Sequence, residues 1–298
     1  MGVFLLGNSM TEEYIKSCPI CHDKKIKHVA TSYYCDQEYL VYRCKTCSFD
    51  FVNNNTNPQD RFSSIDSSET PAHVMESYYE FYEEDKKIAS LSLDIRMPIF
   101  ERFYGKKISK VLEIGCGPAT AYPWFKKNNI DWQGIDLDKN ALAKAKKLNE
   151  PVSANDISNY TDEYDLIYAH QVLEHITDPI VFMKNINKAL KSNGILAVGV
   201  PNNSGFTAIF RRFFKKWYPL DYGFIQIPYH LRAYNKNSIE KVFKKSGFEV
   251  CSIHRCTSFD RKYGEWYDRK NSFVSRMIFN IAAIFGYGTL LYAIGRKK

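Results

Sequence analysis

The sequence predicts an α/β protein with a doubly wound parallel sheet, preceded by a small metal-binding module. From residue 110 onward, short apolar runs alternate with helical patterns, which is the order of strands and crossover helices in a parallel sheet. Acidic residues follow several of these runs, at the edge where such sheets bind ligands. Two Cys-x-x-Cys pairs lie ahead of the alternation, and this spacing is typical of metal ligands.

The composition fits a folded protein with a sizeable core. The 298 residues are 45% hydrophobic and 25% charged, and the formal net charge is +8. This positive excess favours contact with an anionic partner without defining that partner. The chain opens without the basic and apolar regions of an export signal, so we expect a cytoplasmic protein in which paired cysteines hold metal instead of forming disulfides.

Residues 1–58 are predicted to form a zinc-ribbon-like module. Each Cys-x-x-Cys pair can hold one side of a tetrahedral zinc ion, and the sequence between the pairs alternates like strands that bring them together. The predicted ligands of this structural zinc are Cys18, Cys21, Cys44 and Cys47. A closed set of four thiolates supports folding and not catalysis. Reduced cysteines without metal are the alternative.

A linker and a helical cap are predicted over residues 59–105. The first part is polar and rich in Asn, Ser and Pro, which is typical of a linker. The second part has a helical pattern, and Pro98 predicts a break between two helices.

The core domain is predicted to begin at residue 106 and to run to residue 298. Its strand-like runs are VLEIGC, WQGIDL, PVSAND, YDLIYAH, ILAVGV and FEVCSIHRC. Asp178 suits the N-cap of a helix whose first position is Pro179. A further helix is predicted over residues 237–246.

Three acids, Glu113, Asp136 and Asp156, fall at the carboxyl ends of strand-like runs and are expected at one sheet edge. A carboxylate beside the Gly-x-Gly turn would repel a pyrophosphate, but it suits S-adenosylmethionine (SAM), which carries a sulfonium and an ammonium group. Gly115 and Gly117 allow the backbone to approach the ligand closely. Asp136 can accept both ribose hydroxyls, and Asp156 can accept the adenine amino group. Acids that merely cap helices are the alternative.

The motifs VLEIGCGPAT, GIDLD, ANDIS and YDLIYAHQVLEHITDP together resemble those of class I SAM-dependent methyltransferases, over roughly residues 106–256. This resemblance implies a Rossmann-like sheet of seven strands with an antiparallel last strand, which only TLLYAIGRK can provide. It also implies a set of cofactor-binding residues: Glu113, Gly115, Cys116, Gly117, Asp136, Leu137, Asp156, Ile157 and, as a pocket wall, His170.

A narrower likeness concerns the ends of the core. CPIC and YRCKTCSFDFVN are similar to the zinc-binding region of bacterial sugar and polysaccharide methyltransferases, and VPNNSGF and IPYHLRAYNKNSIEKVFKKSGFEV resemble their lid and following helix. The carboxy-terminal domain of the sugar C-methyltransferases is not in this sequence, which favours an oxygen acceptor. We therefore expect O-methylation of a sugar in nucleotide-sugar, polysaccharide or glycolipid biosynthesis.

His230 is the predicted general base, because it lies in the segment that matches the active site of these sugar methyltransferases. A packed or surface histidine is the alternative, and His175 is expected to be a buried partner. HQVLEH also resembles the metal-binding stretch of ubiquinone O-methyltransferases. Gln171 stands there in place of a carboxylate, so no catalytic metal is predicted.

Two inserts are predicted, a lid over residues 203–234 and an apolar helical segment over residues 257–288. The lid carries Arg211, Arg212, Lys215 and Lys216, which could clamp a diphosphate, and neighbouring aromatic residues suited to stacking or to a bilayer surface. An ordinary amphipathic helix is the alternative. Residues 277–295 carry no charge and could by length span a membrane, but we favour a helix followed by a strand, with peripheral contact to the inner leaflet as a further hypothesis.

Two other functions remain open. A zinc module ahead of this core also suits an RNA base methyltransferase, although the acidic stretch between the cysteine pairs argues against nucleic acid. A non-catalytic scaffold that binds SAM is the third reading. Steep salt dependence of RNA binding would indicate the first, and failure to bind the cofactor would indicate a protein that keeps only the fold.

Overall fold

The computed structural model describes residues 16–34, 37–53, 82–147, 149–214, 221–227, 230–256, 285 and 287–298. The strands in chain order are β1 (Ile26–Tyr34), β2 (Gln37–Cys44), β3 (Asp50–Val52), β4 (Lys110–Ile114), β5 (Asp131–Ile135), β6 (Val152–Ser153), β7 (Tyr164–His170), β8 (Leu190–Pro201), β9 (Asp221–Tyr222), β10 (Ile225–Gln226), β11 (Arg232–Ala233), β12 (Phe248–Cys256) and β13 (Leu290–Lys297). The α-helices are α1 (Tyr82–Tyr104), α2 (Tyr122–Lys127), α3 (Lys139–Lys147), α4 (Pro179–Ala189), α5 (Phe206–Phe213) and α6 (Lys236–Lys245).

The large sheet has seven strands in the order β12-β13-β8-β7-β4-β5-β6. The five strands β8, β7, β4, β5 and β6 are parallel to one another, whereas β13 is antiparallel to both β8 and β12. The predicted doubly wound sheet and its antiparallel last strand are therefore confirmed. β13 lies inside the sheet between two neighbours, which gives its backbone groups hydrogen-bond partners on both sides.

Helices cover both faces of this sheet. Side chains of α1, α2 and α3 form one buried cluster with the sheet, and side chains of α4 and α6 form another. The start of α4 is fixed as predicted, because the Asp178 side chain accepts hydrogen bonds from the amides of Ile180 and Val181. Asn235 starts α6 with a capping box to Ser238. These caps satisfy amides that a helix start leaves without partners.

The predicted break at Pro98 is wrong. α1 continues through this residue from Tyr82 to Tyr104. Proline removes one helical hydrogen bond and crowds the preceding turn. The buried residues Met97 and Phe100 on either side of Pro98 belong to the core, and their packing holds the helix together through the proline.

The four-cysteine region forms an antiparallel sheet in the order β1-β2-β3-β11. Its fourth strand comes from far downstream, where Arg232 pairs with Phe51 and Ala233 with Asp50. The cysteines and the Phe49 and Phe51 rings belong to the same buried cluster as α4 and α6. The amino-terminal region is thus built into one side of the core.

Several predicted segments lie outside the described residues. These are the linker, most of the apolar segment over residues 257–288, and Lys215, Lys216 and Trp217 in the predicted lid. Within the described part of the chain, no helix has the length and apolar character needed to cross a membrane.

Candidate functional site

The carboxyl ends of β4, β5, β6 and β7 meet at one edge of the large sheet. The chain order reverses between β4 and β7, and such a reversal opens a crevice. The turn after β4 has positive φ angles of +72° at Gly115 and +52° at Gly117. A Cβ on Gly115 would lie 2.4 Å from Val172 Cγ2, whereas one on Gly117 meets no atom within 4 Å. Gly115 is therefore required for the turn itself, and Gly117 leaves open space beside the backbone.

Asp136 ties the turn after β5 to the glycine turn after β4. Its Oδ2 accepts a hydrogen bond from the Gly117 amide at 2.7 Å, and its Oδ1 accepts one from the Asp138 amide at 2.8 Å. Burial raises the pKa of the Asp136 carboxyl, and these backbone bonds oppose the rise. A carboxylate has about four acceptor sites, so acceptor capacity remains for ribose hydroxyls.

Glu113 lies on β4 and is the second acid of this edge. Its Oε2 accepts a hydrogen bond from Trp132 Nε1 at 3.1 Å. Burial raises the pKa of Glu113 to about 8, the charge of Asp136 adds to the rise, and the Trp132 bond and the Arg96 charge oppose it. A positively charged ligand in this crevice would favour the ionised carboxylate, because an opposite charge lowers the pKa of an acid.

The third acid, Asp156, has a structural role as well. Its Oδ1 accepts a hydrogen bond from the Ser158 amide at 2.8 Å and so caps a short 3-10 helix, Ile157–Asn159. The capping alternative therefore holds for this acid in part, although its other oxygen keeps acceptor capacity. Ile157 is buried in the core.

Cys116, Leu137 and His170 differ in their surroundings. Cys116 is buried within the core cluster that contains α1 and α2, and burial raises the pKa of its thiol. Leu137 is 43% exposed. His170 ends β7, and its ring lies where a Cβ on Gly199 would be only 2.2 Å from its Cδ2. Glycine at that position makes room for the imidazole.

A second group of side chains lies where the 171–177 segment meets the segment around His230. Ring centroids of His175 and His230 are 4.9 Å apart. One ligand-type atom from each of Glu174, His175 and His230 lies within 4.8 Å of the others. The Leu231 amide donates to the Glu174 carbonyl at 3.1 Å, which joins the two segments directly. We refer to Glu174, His175 and His230 as the acid–histidine cluster.

Burial dominates the electrostatics of the acid–histidine cluster. Glu174 is 1% exposed, and neither of its carboxyl oxygens has a hydrogen-bond partner among the described residues. Burial raises the pKa of Glu174 to about 8. Burial is the main cause that lowers the pKa of His230 to about 3, and the charge of the neighbouring His175 contributes to the lowering. The imidazole of His230 is thus neutral at pH 7, and an acid that can ionise lies beside it.

No sequence pattern marks Glu174 as a functional residue. It lies in the motif HQVLEH, and its adjacency to His175 is the local signal that this stretch offers. The other member of the cluster lies 55 residues after His175 along the chain, and only the fold brings the two segments together.

The four predicted zinc ligands come together in the amino-terminal sheet. Sγ of Cys18 lies 3.6 Å from Sγ of Cys47, and Sγ of Cys21 lies 3.4 Å from Sγ of Cys44. All four sulfurs lie within 4.8 Å of one another. Zinc–sulfur bonds of about 2.3 Å in a tetrahedron require sulfurs about 3.8 Å apart. The four thiols therefore fit a zinc ion with only a small outward adjustment.

The predicted lid contains α5 and the short hairpin of β9 and β10. Arg212 donates from Nη1 to Asn203 Oδ1 at 2.9 Å, and the Arg211 guanidinium lies 5.5 Å from the Phe224 ring centroid. Phe213 is 82% exposed. The phosphate clamp and the membrane contact stay predictions.

Comparison with known proteins identifies the family. The family model described as "Methyltransferase domain" matches residues 81–253. A ubiquinone biosynthesis O-methyltransferase of Pelagibacter ubique is 26% identical over 123 residues, which cover 37% of this chain and 51% of that protein. A trans-aconitate 2-methyltransferase of Rhizobium etli is 25% identical over 136 residues, covering 43% and 50%. The chain thus spans about half the length of these curated relatives.

Solved structures show the same fold. A SAM-dependent methyltransferase from Archaeoglobus fulgidus is 16% identical, with a TM-score of 0.50, and the match covers 74% of this chain and 99% of that one. The plantazolicin methyltransferase BamL, solved in complex with S-adenosylhomocysteine (SAH), is 14% identical, with a TM-score of 0.53. The match covers 80% of this chain and 96% of that one. Together with the strand order and the paired acids at its switch point, these matches show that the chain belongs to the methyltransferase-domain family of enzymes and has the class I SAM-dependent methyltransferase fold.

Proposed function

We propose that this protein transfers a methyl group from SAM to a hydroxyl oxygen of a sugar, in nucleotide-sugar, polysaccharide or glycolipid biosynthesis. The observation that carries the cofactor assignment is the pair of partly buried acids, Glu113 and Asp136, at the switch point of the sheet. Two acids in one crevice disfavour an anion and favour a cation. SAM carries a sulfonium and an ammonium group, whereas dinucleotides carry a pyrophosphate.

The oxygen acceptor is inferred from the acid–histidine cluster. A hydroxyl group is a weak nucleophile until its proton is removed, so its methylation calls for a proton acceptor beside the acceptor oxygen. Nδ1 of His230 is buried and has no hydrogen-bond partner among the described residues, and the neighbouring Phe224 backbone raises the pKa of the ring against the effect of burial. This arrangement leaves Nδ1 as the atom that receives the proton. The matched O-methyltransferase is consistent with this choice.

Glu174 adjusts the basicity of the cluster. SAM, when bound, would supply an activated methyl group on a sulfonium and would leave as the neutral thioether once the acceptor oxygen has taken that methyl group. The hydroxyl proton moves to His230 Nδ1, and an ionised Glu174 stabilises the resulting imidazolium by charge attraction. Because burial raises the pKa of Glu174 to about 8, the turnover rate should rise as pH increases towards and through this value.

The sugar acceptor is supported by the sequence resemblance of the amino-terminal module, the lid and the following helix to bacterial sugar methyltransferases. The β3–β11 pairing, in which β11 follows His230 closely, supports a role for the amino-terminal region near the acid–histidine cluster. A module at this position is suited to contact a bulky acceptor bound beside the cluster. The four cysteines would hold structural zinc, which would stabilise the fold of this module.

The test is transfer of radiolabel from methyl-labelled SAM to separate pools of nucleotide sugars, polysaccharide, glycolipid and RNA. Label in a sugar pool, on an oxygen by mass spectrometry, is the expected result. His230→Gln should lower kcat at least about 100-fold and leave the KM for SAM unchanged. His28→Gln, which changes an exposed histidine of β1, is the matched control and should keep full activity.

Other outcomes would overturn parts of the proposal. Label in RNA alone would indicate the base-methyltransferase alternative, and SAM binding without transfer to any pool would indicate a scaffold. Full activity of His230→Gln would remove its role as base. Loss of activity with a chelator that leaves the zinc content unchanged would instead show that a cation, and not the imidazole, activates the acceptor.

A further inference from the structure

The amino-terminal module is connected to the segment that carries His230. β3 pairs with β11, and the Val52 amide donates to the Leu231 carbonyl at 2.9 Å. The Asn235 side-chain amide donates to the Cys47 carbonyl at 3.2 Å and to the Ser48 carbonyl at 2.6 Å. The chain just after His230 is thus bonded to the backbone of one predicted zinc ligand, Cys47, and of its neighbour Ser48.

Arg232 lies at the centre of this contact. Its side chain is fully buried. Nη1 donates to the carbonyls of Val52 at 2.9 Å and Leu231 at 3.1 Å. Nη2 donates to the Thr177 carbonyl at 2.9 Å, and Nε is 3.3 Å from the same oxygen. One guanidinium therefore bonds three segments: the module, the segment of His230 and the segment of Glu174 and His175.

Burying this guanidinium is expensive, because its hydrogen-bond partners are backbone carbonyls and not a carboxylate. Desolvation lowers the pKa of Arg232 to about 10. An apolar side chain of similar size would fill a core position at lower cost. A lysine has a single ammonium group and lacks the planar fork that reaches several acceptors in fixed directions. The arrangement thus indicates a need for fixed geometry between the three segments.

We propose that Arg232 is a positioning residue that holds Glu174, His175 and His230 in register by bonding both of their segments to the four-cysteine module. The role of the acid–histidine cluster as proton acceptor rests on the proposed function, whereas the positioning itself does not. A further bond joins the two segments, because Tyr234 Oη donates to the Leu173 carbonyl at 3.1 Å. Asn203 Nδ2 donates to Asp50 at 2.6 Å, which connects the module to the start of the predicted lid.

The His230 ring provides a direct readout of this positioning. Burial and the charge of His175 lower the pKa of His230, the charge of Arg211 adds to the lowering, and the Phe224 backbone opposes it. Glu174 is the acid that faces the ring within the cluster. If the two segments separate, water enters and His175 moves away, so the pKa of His230 must rise towards its ordinary value.

The experiment follows the protonation of His230 by NMR from about pH 8 down to about pH 5.5, a range in which the thiolates still hold zinc, in the full-length, zinc-loaded protein. With a pKa of about 3, wild-type His230 stays neutral over this range, whereas we expect the raised pKa in Arg232→Met to bring it into partial protonation and Arg232→Lys to do so less, with zinc content and affinity for SAH within about twofold of wild type. Arg102→Met removes an exposed guanidinium and is the matched control, with no expected shift. Where an acceptor is known, the pH–rate profile should shift with the same variants.

Should the Arg232 variants fail to fold, Asn235→Ser provides a second test. Serine keeps a helix N-cap for α6 but is too short to reach the Cys47 and Ser48 carbonyls. The His230 pKa should again rise. Unchanged His230 pKa values in Arg232→Met or in folded Asn235→Ser would refute the positioning role. A shifted pKa in a protein without methyl transfer to any hydroxyl would refute the proposed function and leave the positioning role standing.

Discussion

Replacing Glu113 by glutamine tests the electrostatic basis of the cofactor site. Burial raises the pKa of this carboxyl from 4.5 to about 8. This rise corresponds to a free-energy cost of about 5 kcal/mol for ionising the carboxyl in the ligand-free protein. The ammonium group of bound SAH offsets this term, and a hydrogen bond to a charged group contributes about 1.5–3 kcal/mol. Glu113→Gln keeps the shape of the side chain and removes the charge. We therefore expect SAH affinity about 10- to 150-fold weaker than wild type.

The same substitution should make the empty protein more stable. Folded wild type holds a proton on Glu113 up to about pH 8, whereas the unfolded chain loses it near pH 4.5. The unfolded state therefore binds fewer protons between these values, and wild-type stability falls as pH rises through this window. Glutamine does not titrate, so the variant should melt at a higher temperature than wild type at pH 8 and at nearly the same temperature at pH 4.

Calorimetric titration with SAH and thermal melts at several pH values measure both effects. Wild-type affinity should weaken up to about tenfold for each pH unit below 8, and the variant should lack this component. The ligand titrates identically with both proteins, so the difference in slope isolates Glu113. Equal SAH affinities of wild type and Glu113→Gln would refute the reasoning. A variant that melts at a lower temperature than wild type at pH 8 would also refute it, because its weak binding would then reflect lost stability.

Three further predictions concern the glycine turn, the acid–histidine cluster and the cysteines. Gly115→Ala forces a Cβ to within 2.4 Å of Val172 at φ +72°, so it should lower the free energy of unfolding by about 1–3 kcal/mol in denaturant melts. Gly117→Ala should lower the free energy of unfolding by only about 1 kcal/mol, and its main effect should be weaker SAH binding. Glu174→Gln should raise the melting temperature at pH 8 relative to wild type and not at pH 4, because its raised pKa destabilises the folded protein between those values. Cys18→Ser should lower zinc content by elemental analysis and melt at a lower temperature than Cys251→Ser.

Each of these predictions has a contrary result. Equal stability losses at Gly115 and Gly117 would show that the Val172 contact does not restrict the turn. A Glu174→Gln variant less stable than wild type at pH 8 would show that the carboxylate has a partner in the folded protein. Unchanged zinc content in Cys18→Ser would show that the Cys18 sulfur does not bind the metal. Cys251 lies outside the four-cysteine group, so Cys251→Ser is the control.

The core of the fold was predictable because its signals are local. Each buried strand is a short apolar run, and Asp178 and Pro179 mark a helix start by residue type alone. The acids at the sheet edge follow from the same pattern, since parallel strands place their carboxyl ends together. Glu113, Gly115, Gly117 and Asp136 therefore lie where the sequence predicted them.

The remaining features depend on contacts between distant segments. Glu174 acquires a chemical role only when the fold brings His230 beside it, and no local pattern marks either residue. The β3–β11 pairing joins residues about 180 positions apart, so the sequence predicted a separate module where the structure has a shared sheet. Pro98 failed as a helix breaker because tertiary packing of its neighbours outweighs its local effect.

The most direct test of the account is the number of protons released when SAH binds. Titration in buffers of different ionisation enthalpy measures this number without reference to any acceptor. With a Glu113 pKa of about 8, binding at pH 7 should release about half a proton or more from wild type and almost none from Glu113→Gln. Equal release from the two proteins, or tight binding of a dinucleotide in place of SAH, would contradict the assignment of this crevice to a positively charged adenosyl cofactor.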